Sequence, residues 1–225
     1  MGNLVVEPCV VGMIGTNCYV IYRKDRKKEN GQEKDEGYLP AVVVDPGDNA
    51  AYILNRCREL GVKPEAVLLT HGHFDHILAV EDMKRSLGVP VYAGEKEAAL
   101  LAETDLNLSR TCGRAVSLEA DHWLKDGEIL DLLGVKWKVI FTPGHTEGSV
   151  CYYVEEEQML FCGDTLFCQS VGRTDLPTGD SKKLMESVTG LLTSLPEETR
   201  AYPGHGEGTS IGYERKRNPM ARYVR

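Results

Sequence analysis

The 225-residue chain carries a formal net charge of −8, with 34 acidic residues against 26 basic ones. Nucleic acids and anionic membrane surfaces are bound mainly by basic protein surfaces, so this charge argues against both as the main partner and favours a small-molecule substrate. The N-terminus lacks a basic segment followed by a long apolar one, and no apolar run reaches the roughly 18 residues of a membrane span, so we expect a cytoplasmic protein.

The seven cysteines are scattered along the chain and form no Cys-x-x-Cys pair. This pattern predicts reduced thiols, mostly buried, rather than a disulfide framework. Cys112 and Cys168 lie in loop-like surroundings and are the only two thiols that warrant a test of reactivity.

The first part of the chain predicts strands at residues 4–11, 17–22 and 41–44, where valine, β-branched and aromatic residues dominate. Residues 23–37 are almost entirely polar, with nearly balanced charge, and predict a solvated hairpin tip; a basic patch for a partner is the alternative. Asn49 offers a cap for a helix that runs to Leu60 and stops at Gly61.

The middle of the chain predicts a strand at 66–69, a helix at 77–87 and a strand at 89–93, which together form a βαβ unit. A helix at 95–103 follows, and residues 104–122 predict a loop or lid, with His122 exposed or capping.

The rest of the chain predicts a β-rich region closed by a helix and a strand. The predicted strands are 129–132, 137–142, 149–154 and 158–162, followed by a last helix at 181–192 and a final strand at 199–202. Without a linker or repeat, we expect one domain over residues 1–225, built from two packed sheets with helices outside.

Four potential metal ligands fall within six residues directly after the strand at 66–69: His71, His73, Asp75 and His76. At an extended strand end, residues two apart point the same way, so His71 and His73 share one side while Asp75 and His76 turn to the other. A solvated polar loop is the ordinary explanation of a lone His-x-His pair. The density of ligands here favours a metal site with two clusters.

Three later segments each end a predicted strand with a small-residue turn that carries one metal-competent side chain, namely His145, Asp164 and His205. Glycine and proline set the backbone so that the next side chain projects from the strand end. Each turn alone is weak evidence, but with the central motif they bring the total to five histidines and two aspartates. Asp45, at another strand end, is expected to be a turn or supporting residue.

This order of segments resembles the metallo-β-lactamase-fold hydrolases over nearly the whole chain. The resemblance implies an α/β fold, the αββα four-layer sandwich, with a dinuclear site at the edge of the sheets. It assigns His71, His73 and His145 to one metal, Asp75, His76 and His205 to the other, and Asp164 as the bridge. Zn²⁺ is the ion that we favour, and Fe or Mn²⁺ fits the same imidazole and carboxylate ligands.

Within that superfamily the chain resembles the compact bacterial members of the glyoxalase II group, through residues 70–76, 172–180 and 209–219. The resemblance implies hydrolysis of acyl-thioesters such as S-lactoylglutathione by a metal-bridging hydroxide, formed because two metals lower the pKa of water to roughly 7. Asp75 and Asp164 are the predicted catalytic residues, Asp75 by orienting the nucleophile or accepting its proton.

The same resemblance bears on the substrate. If all five motif histidines are ligands, none is free to protonate a poor leaving group, which favours a thiolate. Full-length glyoxalase II enzymes carry a C-terminal helical domain that helps to hold glutathione, whereas 20 residues follow His205 here. We therefore expect a partial glutathione site at most, in a monomer or a homodimer.

Arg173 lies nine residues beyond Asp164 in a turn-rich loop. It is predicted either to bind a substrate carboxylate through paired hydrogen bonds or to form a salt bridge with Asp175 or Asp180.

Other functions are compatible with the same ligand pattern. A persulfide dioxygenase with one iron and a lactonase are the nearest alternatives, and the acidic charge disfavours a phosphodiesterase or nuclease. A non-catalytic metal-binding protein is least favoured, because all seven ligand positions are filled.

Overall fold

The structure is a computed structural model that describes residues 3–24 and 37–223. Most of the charged segment for which a hairpin tip is predicted lies outside the described residues. Within the described part, strands form two six-stranded sheets and a separate two-stranded hairpin. In that part, no helix has both the length and the apolar character needed to cross a membrane.

The first sheet follows chain order: β1 (Leu4–Val11), β2 (Thr16–Arg23), β3 (Leu39–Val44), β4 (Val62–Leu68), β5 (Val91–Gly94) and β6 (His122–Leu124). The strands β1 to β3 are antiparallel, and β3 to β6 are parallel. The helices of this half are α1 (Ala50–Leu60), α2 (Phe74–Ile77), α3 (Val80–Leu87) and α4 (Ala98–Ala102). Because parallel strands need crossover connections, α1 joins β3 to β4, while α2 and α3 join β4 to β5.

The second sheet is built from β7 (Ile129–Leu132), β8 (Val135–Phe141), β9 (Val150–Val154), β10 (Met159–Gly163), β13 (Arg200–Pro203) and β14 (Thr209–Ser210), in the order β14-β13-β10-β9-β8-β7. The strands β11 (Leu166–Phe167) and β12 (Ser170–Val171) form the small hairpin, and α5 (Ser181–Ser194) and α6 (Ile211–Arg217) complete this half. The pairing is antiparallel except between β10 and β13.

Three apolar clusters fill the spaces between four layers. One lies between the first sheet and its helices, with Ile53 and Met83 at its centre. The second joins the inner faces of the two sheets, where Leu68 and Trp137 are fully buried. The third packs α5 and α6 on the second sheet through residues such as Leu191. This arrangement confirms the predicted αββα sandwich.

Local sequence signals explain several helix ends. The Asn49 side chain caps α1 by accepting a hydrogen bond from the amide of Tyr52, and Gly61 ends this helix with φ +67°. Gly88 ends α3 in the same left-handed conformation, at φ +66°. Glycine is favoured at such positions because it has no Cβ to clash.

Two predictions about the C-terminal part are wrong. The helix at 181–192 is not the last one, because α6 follows it, and the strand at 199–202 is not the final one, because β14 follows. A two-residue strand has too little periodicity to be detected, although Ser210 gives α6 an N-cap by accepting from Tyr213 N. The predicted helix at 95–103 is a 3₁₀ turn, Glu95–Glu97, followed by α4.

Other local predictions agree only in part. The predicted helix at 77–87 is divided into α2 and α3, and the short strands β6, β11 and β12 are not predicted. Residues 104–121 form turns and irregular loop, and His122 is exposed at the start of β6, stacked on the ring of Tyr92. Five of the seven cysteines are buried, whereas Cys112 and Cys168 are partly exposed.

Candidate metal centre

The predicted ligands follow the C-terminal ends of strands from both sheets. The motif that begins with His71 comes after β4 of the first sheet, and the other three ligands come after β8, β10 and β13 of the second. All seven predicted side chains lie together in three overlapping sets, and within each set the ligand atoms lie within 4.8 Å of one another. The sets are His71, His73 and His145; His71, His76 and Asp164; and Asp75, His76 and His205.

We call His71, His73 and His145 the three-histidine group. Their ring centroids lie 4.6 to 4.9 Å apart, and all three side chains are buried. His145 Nδ1 donates a hydrogen bond to the backbone carbonyl of Arg173 at 2.8 Å, so its proton is on Nδ1 and its Nε2 can accept a hydrogen bond or bind a metal ion. His73 Nδ1 lies 2.9 Å from that Nε2.

We call Asp75, His76 and His205 the carboxylate group. Asp75 Oδ2 lies 3.2 Å from His76 Nε2 and 3.1 Å from His205 Nε2. The same oxygen accepts a hydrogen bond from Thr16 Oγ1 at 2.8 Å, which fixes the carboxylate in position. Thr16 begins β2 and also forms an isolated β-bridge with His205, so the first sheet holds this ligand loop of the second.

Asp164 lies between the two groups. Its Oδ2 is 3.5 Å from Nε2 of His145 and 3.5 Å from Nε2 of His205, and its Oδ1 is 3.4 Å from His76 Nε2. A Cβ added at Gly204 would lie 2.1 Å from Asp164 Oδ1, so only glycine leaves room for this approach. A carboxylate in contact with both groups is suited to bridge two cations.

Asp45 is hydrogen-bonded to residues of both groups, directly or through Thr70. Its backbone has φ +51°, a conformation that aspartate tolerates better than most residues. Oδ1 accepts from Thr70 N at 2.8 Å, and Oδ2 accepts from Thr70 Oγ1 at 2.6 Å and from His76 Nδ1 at 3.0 Å. Because the only hydroxyl proton of Thr70 goes to Asp45, His71 Nδ1 must donate to Thr70 Oγ1 across 3.1 Å. Nδ1 of each of these two imidazoles therefore carries a proton.

The electrostatic environment differs between the two groups. Burial lowers the pKa of His71 and of His145, and it lowers the pKa of His73 to about 3. Burial has the same tendency at His76, but the carboxylates of Asp75, Asp164 and Asp45 outweigh it and raise the His76 pKa. The three-histidine group is therefore neutral near pH 7, which is the form of imidazole that binds metals.

The carboxylate group titrates in the opposite sense. Burial disfavours the charged form of Asp75, but His76 and a hydrogen bond from His205 outweigh it and lower the Asp75 pKa. Burial also opposes the charging of His205, but its hydrogen bond to Asp75 raises its pKa. Negative charge is thus retained beside the rings that we expect to hold a cation.

Three buried atoms support a site that fits metal ions. Nε2 of His71 and of His76, together with Asp164 Oδ1, have no hydrogen-bond partner among the described residues, while His73 turns its Nδ1 toward His145. Each unpaired buried polar atom costs about 1–3 kcal/mol, so a cluster of three is unfavourable without a ligand. Imidazole and carboxylate donors in this number suit Zn²⁺, Fe or Mn²⁺.

Arg173 adopts one of its two predicted arrangements. Its guanidinium makes two hydrogen bonds of 2.7 Å to the carboxylate of Asp175, and both side chains are exposed. Asp180 instead caps α5 by accepting from Lys182 N and Lys183 N.

Sequence reasoning missed two buried polar residues at the site, Thr16 and Glu97. Thr16 contacts a partner 59 residues away, and Glu97 contacts partners 25 and 49 residues away. No local motif marks either residue, because each contact depends on the packing of separate chain segments.

The comparisons with known proteins identify the family. Residues 39–205 match the metallo-beta-lactamase superfamily. The chain belongs to this superfamily. A relative from Bacillus subtilis strain 168, described as "Probable metallo-hydrolase YqgX", is 36% identical over 213 residues, which cover 93% of this chain and 94% of that protein. "Hydroxyacylglutathione hydrolase GloC" of Haemophilus influenzae is 34% identical over 184 residues, covering 80% of this chain and 86% of GloC.

Solved structures of metallo-beta-lactamase-fold proteins agree over the full length. The BLEG-1 B3 metallo-beta-lactamase superposes with a TM-score of 0.85 at 38% identity, covering 98% of this chain and 99% of that one. TTHA1623 in a di-iron-bound form superposes with a TM-score of 0.81 at 37% identity, covering 96% and 100%. Together these proteins support a metal-dependent hydrolase, and they differ in the substrate or metal that their names state.

Proposed function

We propose that this protein hydrolyses acyl-thioesters, with S-lactoylglutathione as the representative substrate, using two divalent metal ions. The three-histidine group would hold one ion and the carboxylate group the other, with Asp164 between them. The observation that carries the proposal is the convergence of these seven side chains, in which Nε2 of His71 and His76 and Oδ1 of Asp164 have no hydrogen-bond partner among the described residues. Zn²⁺ is the ion that we favour, while the di-iron form of TTHA1623 supports iron as the alternative.

When bound, two divalent ions lower the pKa of coordinated water to roughly 7 and polarise the substrate carbonyl. The chain itself supplies orientation. Asp75 is held by Thr16, His76 and His205, and its lowered pKa keeps it ionised. A carboxylate with a low pKa is a poor proton acceptor, so we assign Asp75 to holding a cation and orienting the nucleophile rather than to general-base catalysis.

Among the described residues, all five histidines of the centre belong to the candidate ligand sets, so with two ions bound none would be left to protonate a leaving group. Nδ1 of His145 is bonded to a backbone carbonyl and Nδ1 of His76 to Asp45. The Nε2 atoms of both rings face Asp164. A thiolate departs without proton assistance because a cysteine-like thiol has a pKa near 8.5, whereas an amide nitrogen requires a proton. This chemistry favours a thioester over the β-lactam ring that the name of the BLEG-1 structure suggests.

The relative GloC of Haemophilus influenzae supports the same substrate class, since it is described as a hydroxyacylglutathione hydrolase. We propose a small-molecule partner for this chain, and a glutathione thioester is the form that the relative suggests. The side chain of Arg173 is exposed beside the site, and its salt bridge with Asp175 leaves it able to exchange partners with a substrate carboxylate.

The test combines metal analysis with a substrate panel. Purified protein is loaded with Zn²⁺ or Fe²⁺, its metal content is measured by mass spectrometry, and turnover is assayed on S-lactoylglutathione, a lactone and a β-lactam. Oxygen uptake is followed with a glutathione persulfide. We expect two ions per chain and thioester hydrolysis that exceeds that of a His73→Ala control.

Three results would contradict the proposal. Thioester hydrolysis no faster than that of the His73→Ala control would exclude the substrate class. One iron per chain with oxygen uptake would favour the persulfide dioxygenase. Faster turnover of the β-lactam or lactone than of the thioester would move the assignment to those substrates on the same site.

A further inference from the structure

Glu97 is a buried carboxylate that contacts the ligand loops without belonging to the ligand set. It ends the 3₁₀ turn that follows β5, and its side chain is 1% exposed. A buried carboxyl group is costly unless it makes hydrogen bonds. Its hydrogen-bond partners therefore indicate its structural role.

Both hydrogen bonds of Glu97 Oε1 go to segments that carry the three-histidine group. Oε1 accepts from the backbone amide of Gly72 at 3.1 Å and from Thr146 Oγ1 at 2.5 Å. Gly72 lies between the first two histidines of the group, and Thr146 directly follows the third. A single oxygen atom thus joins two chain segments that come from different sheets.

The packing around this contact leaves little room for other arrangements. A Cβ added at Gly72 would lie 2.8 Å from Leu100 Cδ2, and one added at Gly148 would lie 2.4 Å from the backbone nitrogen of Glu97. Thr146 is held from its other side as well, because Ser149 Oγ lies 2.6 Å from its hydroxyl. Because this region is tightly packed, a small displacement of Glu97 would also displace the two ligand loops.

The carboxylate group is held differently. Within the described residues, its hydrogen bonds run from Thr16 to Asp75 and from His76 to Asp45. None of the hydrogen bonds described for Glu97 reaches this group. Asp45 reaches both halves, because Thr70 links it to His71, whereas the hydrogen bonds to Glu97 belong to the three-histidine half alone.

We propose that Glu97 is a positioning residue that sets the separation of the two loops carrying the three-histidine group, and thereby the metal affinity of that half alone. The inference rests on the proposed metal pair but not on the proposed substrate. Partners that orient metal ligands typically change affinity by about 10- to 100-fold when they are removed. We expect an effect of this size for one ion and none for the other.

The test measures metal binding by the full chain, using Zn²⁺ titrations against a chromophoric chelator. Glu97→Leu removes the acceptor, and we expect it to weaken one of the two ions by about tenfold or more. Glu97→Gln keeps an acceptor oxygen and should bind both ions as the wild type does. Glu214→Leu is the matched control, because Glu214 is equally buried and accepts from a backbone amide, Gln169 N, and a threonine hydroxyl, Thr209 Oγ1.

Double variants assign the effect to one half of the centre. Glu97→Leu should weaken the remaining ion in a His205→Ala background, which retains the three-histidine group, and should change nothing further in a His73→Ala background. Thr146→Val removes one donor to Glu97 with little change of volume. It gives a second test, in which we expect weaker binding in the same half.

The inference would be overturned if Glu97→Leu bound both ions with wild-type affinity. It would also be overturned if the substitution weakened the binding of both ions equally. If Glu97→Leu does not fold, unchanged metal binding by Thr146→Val has the same force. A chain that binds two ions with the expected Glu97 dependence but does not hydrolyse thioesters refutes the proposed function and leaves this inference standing. A chain that hydrolyses thioesters but whose metal binding does not depend on Glu97 refutes this inference and leaves the proposed function standing.

Discussion

Replacing Asp45 by asparagine tests how the protein fixes the tautomer of a metal ligand. In the native structure, Asp45 Oδ2 accepts the Nδ1 proton of His76 at 3.0 Å, which directs Nε2 toward Asp75 and Asp164 and makes it the nitrogen available to a metal ion. The asparagine side chain would keep one acceptor oxygen for the backbone amide of Thr70 and turn an NH₂ group toward His76. Two donors would then face each other, so we expect the His76 proton to move to Nε2.

The magnitude follows from the contacts that are lost. A hydrogen bond to a charged group contributes about 1.5–3 kcal/mol, so metal-free Asp45→Asn should lose about that much unfolding free energy. Because Nε2 would then carry a proton, the affinity for the ion bound by the carboxylate group should fall by about 10- to 100-fold, or about 1.4–2.7 kcal/mol. The ion bound by the three-histidine group should be weakened less, since His71 contacts Asp45 only through Thr70.

Urea unfolding of the metal-free protein and chelator competition on the loaded protein measure these two quantities. Asp48→Asn is the matched control, because this neighbouring aspartate is more exposed and pairs with Arg114 and the amide of Asn49. If Asp45→Asn binds both ions with wild-type affinity, the hydrogen bond from His76 does not determine its tautomer, and the reasoning fails.

Three further predictions concern substrate binding, the pH dependence of stability, and the room beside Asp164. Arg173→Ala should raise the KM for a glutathione thioester by about tenfold, the loss of roughly one charge-assisted hydrogen bond, with metal content unchanged. Asp175→Asn, which breaks only the salt bridge, should not raise KM, and equal effects of both would point to a structural role. The His73 pKa is about 3 when folded and about 6.5 when unfolded, so this one side chain should contribute a loss of about 2 kcal/mol to the unfolding free energy of metal-free protein between pH 8 and pH 5, as the unfolded state takes up the proton. Urea titrations of wild type and His73→Gln check this, and equal pH slopes would refute it. Gly204→Ala would place a Cβ 2.1 Å from Asp164 Oδ1, so metal analysis should show less than two ions per chain, whereas a full complement would show that the loop can move.

Much of the layered fold is visible in the sequence because its signals are local. The interior strands β3 and β4 are buried on both faces and contain short apolar runs, and Gly61 and Gly88 end helices through backbone conformations that favour glycine. The elements after residue 203 are harder to predict. β14 is two residues long, and its pairing with β13 depends on contacts rather than on periodicity.

The same division holds for the candidate centre. The sequence alone indicates which residues can bind metal, because the first four follow directly after a predicted strand and the last three follow turns of small residues. Alternation along an extended chain does not separate His71 from Asp75, which are four residues apart; Asp75 and His76 leave the extended conformation because they lie in the helix α2. Only the tertiary structure decides what holds them: Asp45 and Thr16 orient the ligands, Glu97 joins two ligand loops, and Arg173 offers its carbonyl to a ligand histidine while its guanidinium pairs with Asp175. Most of these contacts join segments 25 or more residues apart, and packing of the two sheets, rather than any local pattern, brings those segments together.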